Sequence, residues 1–206
     1  MLKAIFFDFD GVLTLDKYGS VSVAKFLSER TNLPFERCRA AYGKFNAAML
    51  RGEKTEREIW PGLCAELDID PEPYLLDEAA FATPMDGRML ALVRGLRPKY
   101  RIGMITDNPA GRVYAALDHF GLRELFDVIA VSGEVGSRKD QPAIFERALS
   151  ALNLPPDACA FIDNTASNLT IPRQMGMHAI FFDDELRDME KLCEDLAEIC
   201  GEEVSF

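Results

Sequence analysis

The sequence predicts an α/β fold in which a parallel β-sheet core carries an inserted all-helical domain. Short apolar runs rich in β-branched and aromatic residues alternate with stretches of helical periodicity, which is the pattern of repeated βα units. One long interval, residues 18–83, contains helical patterns and no convincing strand. Acidic, hydroxyl and basic side chains also recur where several of the predicted strands end. Together these observations divide the chain into a sheet core and a helical insert.

The sheet core is predicted to span residues 1–15 and 84–206. Its strands should be buried, because parallel strands covered on both faces have continuously apolar sequences. The predicted strands are residues 2–8, 101–106, 126–131, 158–163 and 179–182. Helices between and after them, several ending at glycine or just before proline, are predicted at residues 85–96, 110–120, 141–152 and 168–175, with an amphipathic helix in the acidic tail 183–203.

The helical insert is predicted to span residues 16–83 and to form a small cap domain. Its four predicted helices cover residues 21–31, 34–51, 55–67 and 71–81. Because the insert follows the first strand directly, linkers at 14–17 and 83–87 would carry it above the carboxyl edge of the sheet. Open α/β sheets bind their ligands at this edge. The insert is therefore expected to cover a ligand site.

The composition limits the functional classes. With 48% hydrophobic and 28% charged residues, and no apolar run near the roughly 18 residues that cross a bilayer, a globular protein without a membrane span is expected. Asp8 interrupts the first apolar run too early for a secretory signal, so cytoplasmic residence is expected. The five scattered cysteines include no CxxC pair and predict free thiols. A net charge of −11 argues against nucleic acid as a partner.

The first predicted strand ends in two acids, Asp8 and Asp10, on either side of a phenylalanine and followed at once by Gly11. Acids at this spacing can converge on one cation, and glycine lets the backbone approach a ligand closely. Asp and Gly are also common turn residues. The motif alone therefore leaves catalysis and a simple turn about equally open.

Three further groups of polar residues follow later strands. The second strand ends at Thr106 and Asp107, where a hydroxyl beside a helix N-terminus can donate to a phosphate oxygen. Lys139 stands just before a helix, and the fourth strand ends in Asp163 and Asn164, with Asn168 close behind. Each signal alone has a commoner structural explanation, such as a helix cap or a solvated lysine. Their order, at the carboxyl ends of successive βα units, indicates one shared site.

With these motifs in this order, the sequence resembles the haloacid dehalogenase-like (HAD) hydrolase superfamily, in particular its phosphatase-type members with a small helical cap. The resemblance covers essentially the whole chain and implies a Rossmann-like parallel sheet as the core. It identifies Asp8 and Asp10 with the first motif, Thr106 with the second and Lys139 with the third. Asp163, Asn164 and Asn168 match the fourth motif.

The resemblance implies a Mg²⁺-dependent phosphatase that acts on a small phosphorylated metabolite. Asp8 would be the nucleophile that forms an aspartyl-phosphate, and Asp10 would be the general acid and base. Mg²⁺ would be held by Asp8, Asp10 through its backbone carbonyl, and Asp163, while Thr106, Asp107 and Lys139 would bind the phosphoryl group. Many members have a second acid in the fourth motif, directly after the first, where this chain has Asn164. Asn164 and Asn168 would contact the metal only weakly or through a bound water.

Two other functions remain open at the level of the sequence. A phosphosugar mutase would use the same core, although such enzymes generally add proton-transfer groups from the cap and residues 16–83 contain no histidine. A catalytically silent binding module is disfavoured because all the acids and Lys139 are present. The protein is expected to be a monomer or a homodimer. Arg112 and Arg138 are expected to be solvated and are left out of the catalytic set.

Overall fold

The core is a five-stranded, fully parallel sheet in the order β3-β2-β1-β4-β5. We describe it from a computed structural model that covers residues 1–205, without the side chains of residues 73 and 74. The strands are β1 (Ala4–Phe7), β2 (Arg101–Thr106), β3 (Val128–Val131), β4 (Cys159–Asp163) and β5 (His178–Phe181). The α/β fold and the five predicted strands are confirmed, with ends that differ by at most two residues.

Helices cover both faces of this sheet. Apolar side chains alternate along β1, so that Ile5 and Phe7 face one hydrophobic cluster and Ala4 and Phe6 face another. The first cluster includes α5 (Gly87–Leu96), α6 (Ala110–His119) and α10 (Met189–Cys200), and the second includes α8 (Pro142–Leu152) and α9 (Thr170–Met175); the short α7 (Ser132–Val135) follows β3. Burial on both faces explains why the strand sequences are continuously apolar.

Four helices fill the segment between β1 and α5. They are α1 (Gly19–Thr31), α2 (Phe35–Leu50), α3 (Glu56–Leu67) and α4 (Pro73–Phe81). The described side chains of these helices form a hydrophobic cluster of their own, which includes Leu27, Tyr42, Met49 and Trp60. Thr55 and Glu58 form a reciprocal capping box at the start of α3, which fixes where that helix begins.

The two linkers of the insert lie side by side. Thr14 and Met85 form an antiparallel bridge, and the backbone N–H of Asp86 donates to the carbonyl of Leu13 at 2.9 Å. Arg187 donates to the carbonyls of Gly11 and Val12, each at 2.9 Å, and to the Asp86 carboxylate at 2.7 Å. The chain therefore leaves the core and returns to it through two neighbouring, hydrogen-bonded segments.

Candidate active site

The site lies at the carboxyl edge of the sheet, between β1 and β4. The chain runs from β1 to β2 and β3 on one side and then crosses to β4 on the other, so the edge beside β1 is a topological switch point. After β1 the backbone turns sharply at Gly11, whose φ is +77°. A Cβ at Gly11 would lie 2.1 Å from Nδ2 of Asn164, so both the conformation and the space require glycine.

Lys139 joins the two acids that end β1 and β4. Its Nζ lies 2.7 Å from Oδ2 of Asp8 and 2.6 Å from Oδ2 of Asp163. The lysine side chain is 2% exposed, and those of Asp8 and Asp163 are 8% and 0% exposed. A solvated surface lysine would not be buried between two carboxylates, so the structure brings Lys139 together with Asp8 and Asp163.

The remaining contacts of Asp163 fix its carboxylate. The backbone N–H of Thr165 donates to Oδ1 at 2.7 Å, and Nδ2 of Asn168 donates to both oxygens at 3.2 Å. Asn164 is 4% exposed, and its Nδ2 is buried without a hydrogen-bond partner among the described residues. Asn168 thus orients Asp163. The side-chain nitrogen of Asn164, beside the Gly11 turn, donates no hydrogen bond to the described residues.

The residues after β2 connect this site to the loop that carries Lys139. Thr106 is fully buried and accepts a hydrogen bond from Nδ2 of Asn108 at 2.8 Å. Asp107 accepts the backbone N–H of Lys139 at 2.9 Å and pairs with Arg138 at 3.3 Å. Because a carboxylate repels a phosphate, a contact from Asp107 to a phosphoryl oxygen would have to come from its backbone N–H.

Arg112 and Asn108 hold the carboxylate of Asp10. Both of its oxygens accept hydrogen bonds from Arg112, at 2.9 and 3.0 Å, and Oδ2 also accepts Nδ2 of Asn108 at 2.9 Å. Among the described residues, no three acidic, histidine or cysteine side chains gather at a possible metal position. A metal contact from Asp10 would therefore use its backbone carbonyl.

The expectation that Arg112 is solvated was wrong. Its side chain is 2% exposed and paired with Asp10, whereas Arg138 is 46% exposed, as expected. Sequence reasoning missed Arg112 because most arginines are on the surface. The available signal was its position in the first turn of α6, four residues after Asn108 and at the same sheet edge as the other site residues.

Burial dominates the electrostatics of Asp8. Burial, with a smaller contribution from the nearby Asp163 carboxylate, raises the pKa of the Asp8 carboxyl to about 8 against the opposing effect of Lys139. Burial lowers the pKa of Lys139, but Asp8 and Asp163 outweigh it and hold that pKa above its ordinary value. Lys139 therefore stays positively charged.

A cavity of about 330 Å³ opens above these residues and reaches the insert. Asp8, Asp10, Thr106 and Lys139 line its floor. The insert contributes Tyr18, Ser20, Tyr42, Asn46 and Leu50. The volume suits a small molecule, and the mixture of acids, amides and hydroxyls suits a polar one.

None of the helices within residues 1–205 has both the length and the apolar composition required to cross a bilayer.

The family model of haloacid dehalogenase-like hydrolases matches residues 2–176, which include all the predicted site residues.

Individual relatives extend this match over nearly the whole chain. A phosphatase of Mycobacterium tuberculosis is 26% identical over 96% of this chain and 95% of its own length. A D-ribitol-5-phosphate phosphatase of Bacteroides thetaiotaomicron is 24% identical over 85% of this chain and 89% of its own. A HAD family enzyme of the same bacterium, solved as a magnesium complex, shares the fold with a TM-score of 0.74 at 19% identity, covering 93% of this chain and 98% of that one. The chain belongs to the haloacid dehalogenase-like hydrolases and is an enzyme of that family.

Proposed function

We propose that this enzyme is a Mg²⁺-dependent phosphatase that hydrolyses a small phosphorylated metabolite through an aspartyl-phosphate on Asp8. The observation that carries the proposal is the buried contact of Asp8 with Lys139 at 2.7 Å, at a sheet edge where Thr106 also lies. A nucleophilic carboxylate, a fixed cation and a hydroxyl around one cavity are what phosphoryl transfer requires.

The relatives support hydrolysis of small phosphate esters. One matched relative is a phosphatase and another acts on D-ribitol 5-phosphate, as their names state. A cavity of about 330 Å³ fits a substrate of that size class. We also propose that residues 16–83 act as a cap domain over the core formed by residues 1–15 and 84–206, with Tyr18 and Asn46 facing the substrate from the insert.

The chemistry takes two steps. An oxygen of Asp8 attacks phosphorus, the bond from phosphorus to the ester oxygen breaks, and Asp10 gives the leaving oxygen its proton. Water then attacks the phosphorus of the aspartyl-phosphate, Asp10 takes a proton from that water, and inorganic phosphate leaves as the Asp8 carboxylate is restored. Proton transfer of this kind contributes roughly 10²–10⁴-fold to a rate. Lys139 and Thr106 would hold the phosphoryl oxygens.

The donor set fits Mg²⁺. Asp8 and Asp163 are buried carboxylates that share the single ammonium of Lys139, so their surroundings favour an additional cation. Asp8, the backbone carbonyl of Asp10 and Asp163 would hold the metal, and Asn164 and Asn168 would contact it weakly or through water. When bound, Mg²⁺ would neutralise the charge that otherwise repels a phosphate from this acidic site.

The test is release of inorganic phosphate from p-nitrophenyl phosphate and a panel of phosphorylated metabolites, with MgCl₂ or with a chelator. Asp8→Asn should lower the rate by on the order of 10⁴-fold or more, because the nucleophile is lost. Asp157→Asn is the matched control, since it removes the same charge from an exposed position in the loop before β4.

Four outcomes would contradict the proposal. Full activity of Asp8→Asn would exclude Asp8 as the nucleophile, and full activity in the presence of a chelator would exclude a requirement for Mg²⁺. Transfer of phosphate between two sugar positions without net release would favour a phosphosugar mutase. No turnover of any phosphate ester with Mg²⁺ present would favour a silent binding module.

A further inference from the structure

Arg112 is a buried cation that the two-step reaction above does not use. It lies in the first turn of α6, and its side chain is 2% exposed. Nη2 donates to Oδ1 of Asp10 at 2.9 Å, and Nη1 donates to Oδ2 at 3.0 Å. Two parallel hydrogen bonds from one planar guanidinium fix the orientation of a carboxylate as well as its position.

The count of hydrogen bonds identifies which oxygen of Asp10 is still available. Oδ2 accepts from both Arg112 and Asn108, whereas Oδ1 accepts only from Arg112. A carboxylate oxygen has two lone-pair sites. Oδ1 is therefore the atom with room for the proton that passes between Asp10 and the substrate.

The same guanidinium also contacts the second linker of the insert. Nη2 donates to the hydroxyl of Thr83 at 2.9 Å, and Thr83 is buried. Nη2 is also the nitrogen that donates to Oδ1 of Asp10. Movement of this linker would therefore disturb the group that holds this oxygen.

Two further contacts come from the helices of the insert. Glu56, in the first turn of α3, accepts the backbone N–H of Arg112 at 2.6 Å. Gly19, the first residue of α1, packs directly on the ion pair. A Cβ at Gly19 would lie 2.3 Å from Nη1 of Arg112 and 2.8 Å from Oδ2 of Asp10. The start of α1 thus leaves no room for the pair to move while the insert stays in place.

From these contacts we infer that Arg112 is the positioning residue for Asp10, and that it links the orientation of that carboxylate to the packing of α1, α3 and the second linker against the core. The inference rests on the proposed function, because it assigns Asp10 the proton transfer of that reaction. Arg112 aims the general acid only while the insert is closed on the core. Proton transfer and enclosure of the substrate are thereby coupled.

The test compares two aryl phosphates that differ in their need for an acid. Phenolate is a poorer leaving group than p-nitrophenolate, so its departure depends more strongly on protonation by Asp10. The ratio kcat/KM reports the steps up to departure of the leaving group, so the later attack of water does not enter it. Arg112→Ala should lower kcat/KM for phenyl phosphate by roughly 10²-fold and for p-nitrophenyl phosphate by less than about tenfold.

Chemical rescue separates positioning from a general structural effect. Guanidinium chloride, at concentrations that leave the wild-type enzyme folded and active, should restore part of the phenyl phosphate activity of Arg112→Ala, and NaCl at equal ionic strength should not. Arg123→Ala is the matched control, because Arg123 also donates two hydrogen bonds to one carboxylate, that of Asp118, on the exposed surface. Its ratio between the two substrates should equal that of the wild type.

Two milder variants test the link to the insert. Thr83→Val removes the hydroxyl and keeps the shape, and Gly19→Ala places a methyl group against the ion pair. Both should shift the ratio between the two substrates in the same direction as Arg112→Ala, by a smaller factor. They also decide the question if Arg112→Ala does not fold.

The inference is overturned if the Arg112, Thr83 and Gly19 variants lose activity equally on both substrates, or if guanidinium rescues no better than NaCl. A failure of the proposed function gives a different result. In that case Asp8→Asn keeps full activity, or the wild-type enzyme itself releases no phosphate.

Discussion

Replacement of Lys139 by methionine tests whether the buried ammonium group stabilises the two carboxylates of the site. The quantity measured is the free energy of unfolding, so no activity assay is needed. The substitution keeps an unbranched chain of similar length and removes the ammonium that lies 2.7 Å from Asp8 and 2.6 Å from Asp163. Removing one partner of a buried ion pair costs about 3–5 kcal/mol, because the remaining charge is left without compensation. For a chain of this size, that loss lowers Tm by roughly 6–20 °C.

The assay is denaturant or thermal unfolding of Lys139→Met, with and without MgCl₂. Lys191→Met is the control, because Lys191 is 60% exposed and pairs with Asp195 on the surface, a contact worth about 0.3–0.5 kcal/mol. Mg²⁺ should restore part of the lost stability of Lys139→Met, by about 2.7 kcal/mol at a hundred times its Kd, since it supplies the missing positive charge. A loss below about 1 kcal/mol without metal would refute the buried arrangement of Lys139.

Two other substitutions give expected outcomes from the linker and the turn. Asp86→Asn should cost about 3 kcal/mol at pH 7, because it removes a buried partner of Arg187. Burial favours a higher pKa for Asp86, but hydrogen bonds from Arg187 and from the backbone N–H of Arg88 lower it overall. The difference in free energy of unfolding between Asp86→Asn and the wild type, measured in urea, should therefore shrink as the pH falls below about 4. A difference that stays constant with pH would exclude this linkage. Gly11→Ala should cost about 1–3 kcal/mol through its positive φ and its contact with Asn164. The double variant with Asn164→Ala should recover part of that loss in a double-mutant cycle, and simple additivity would contradict the contact.

The sequence is sufficient to predict the fold because the local signals agree with the tertiary structure. Apolar runs became strands buried on both faces, and the helical interval became α1 to α4. The ends were less accurate. Residues 168–169 are predicted to be helical, but they end a 3₁₀ turn before α9.

The site was only partly predictable for a different reason. Lys139 and Asp163 could be placed together because the carboxyl ends of parallel strands share one edge. The contact between Asp10 and Arg112 could not, since it depends on how α6 is rotated and on the start of α1 closing over the pair. A sequence gives the type and spacing of charged residues. Their burial follows from packing between elements that lie far apart along the chain.

The bridge between Thr14 and Met85 brings the two ends of the helical insert together. The chain leaves the core and re-enters it at adjacent points, so residues 15–84 occupy the position of a loop between two neighbouring backbone segments. A segment in this position can change without altering the strand order of the sheet. Helical segments of different length and sequence could therefore be exchanged at this junction, giving new enclosures for substrates while the catalytic edge beneath stays the same.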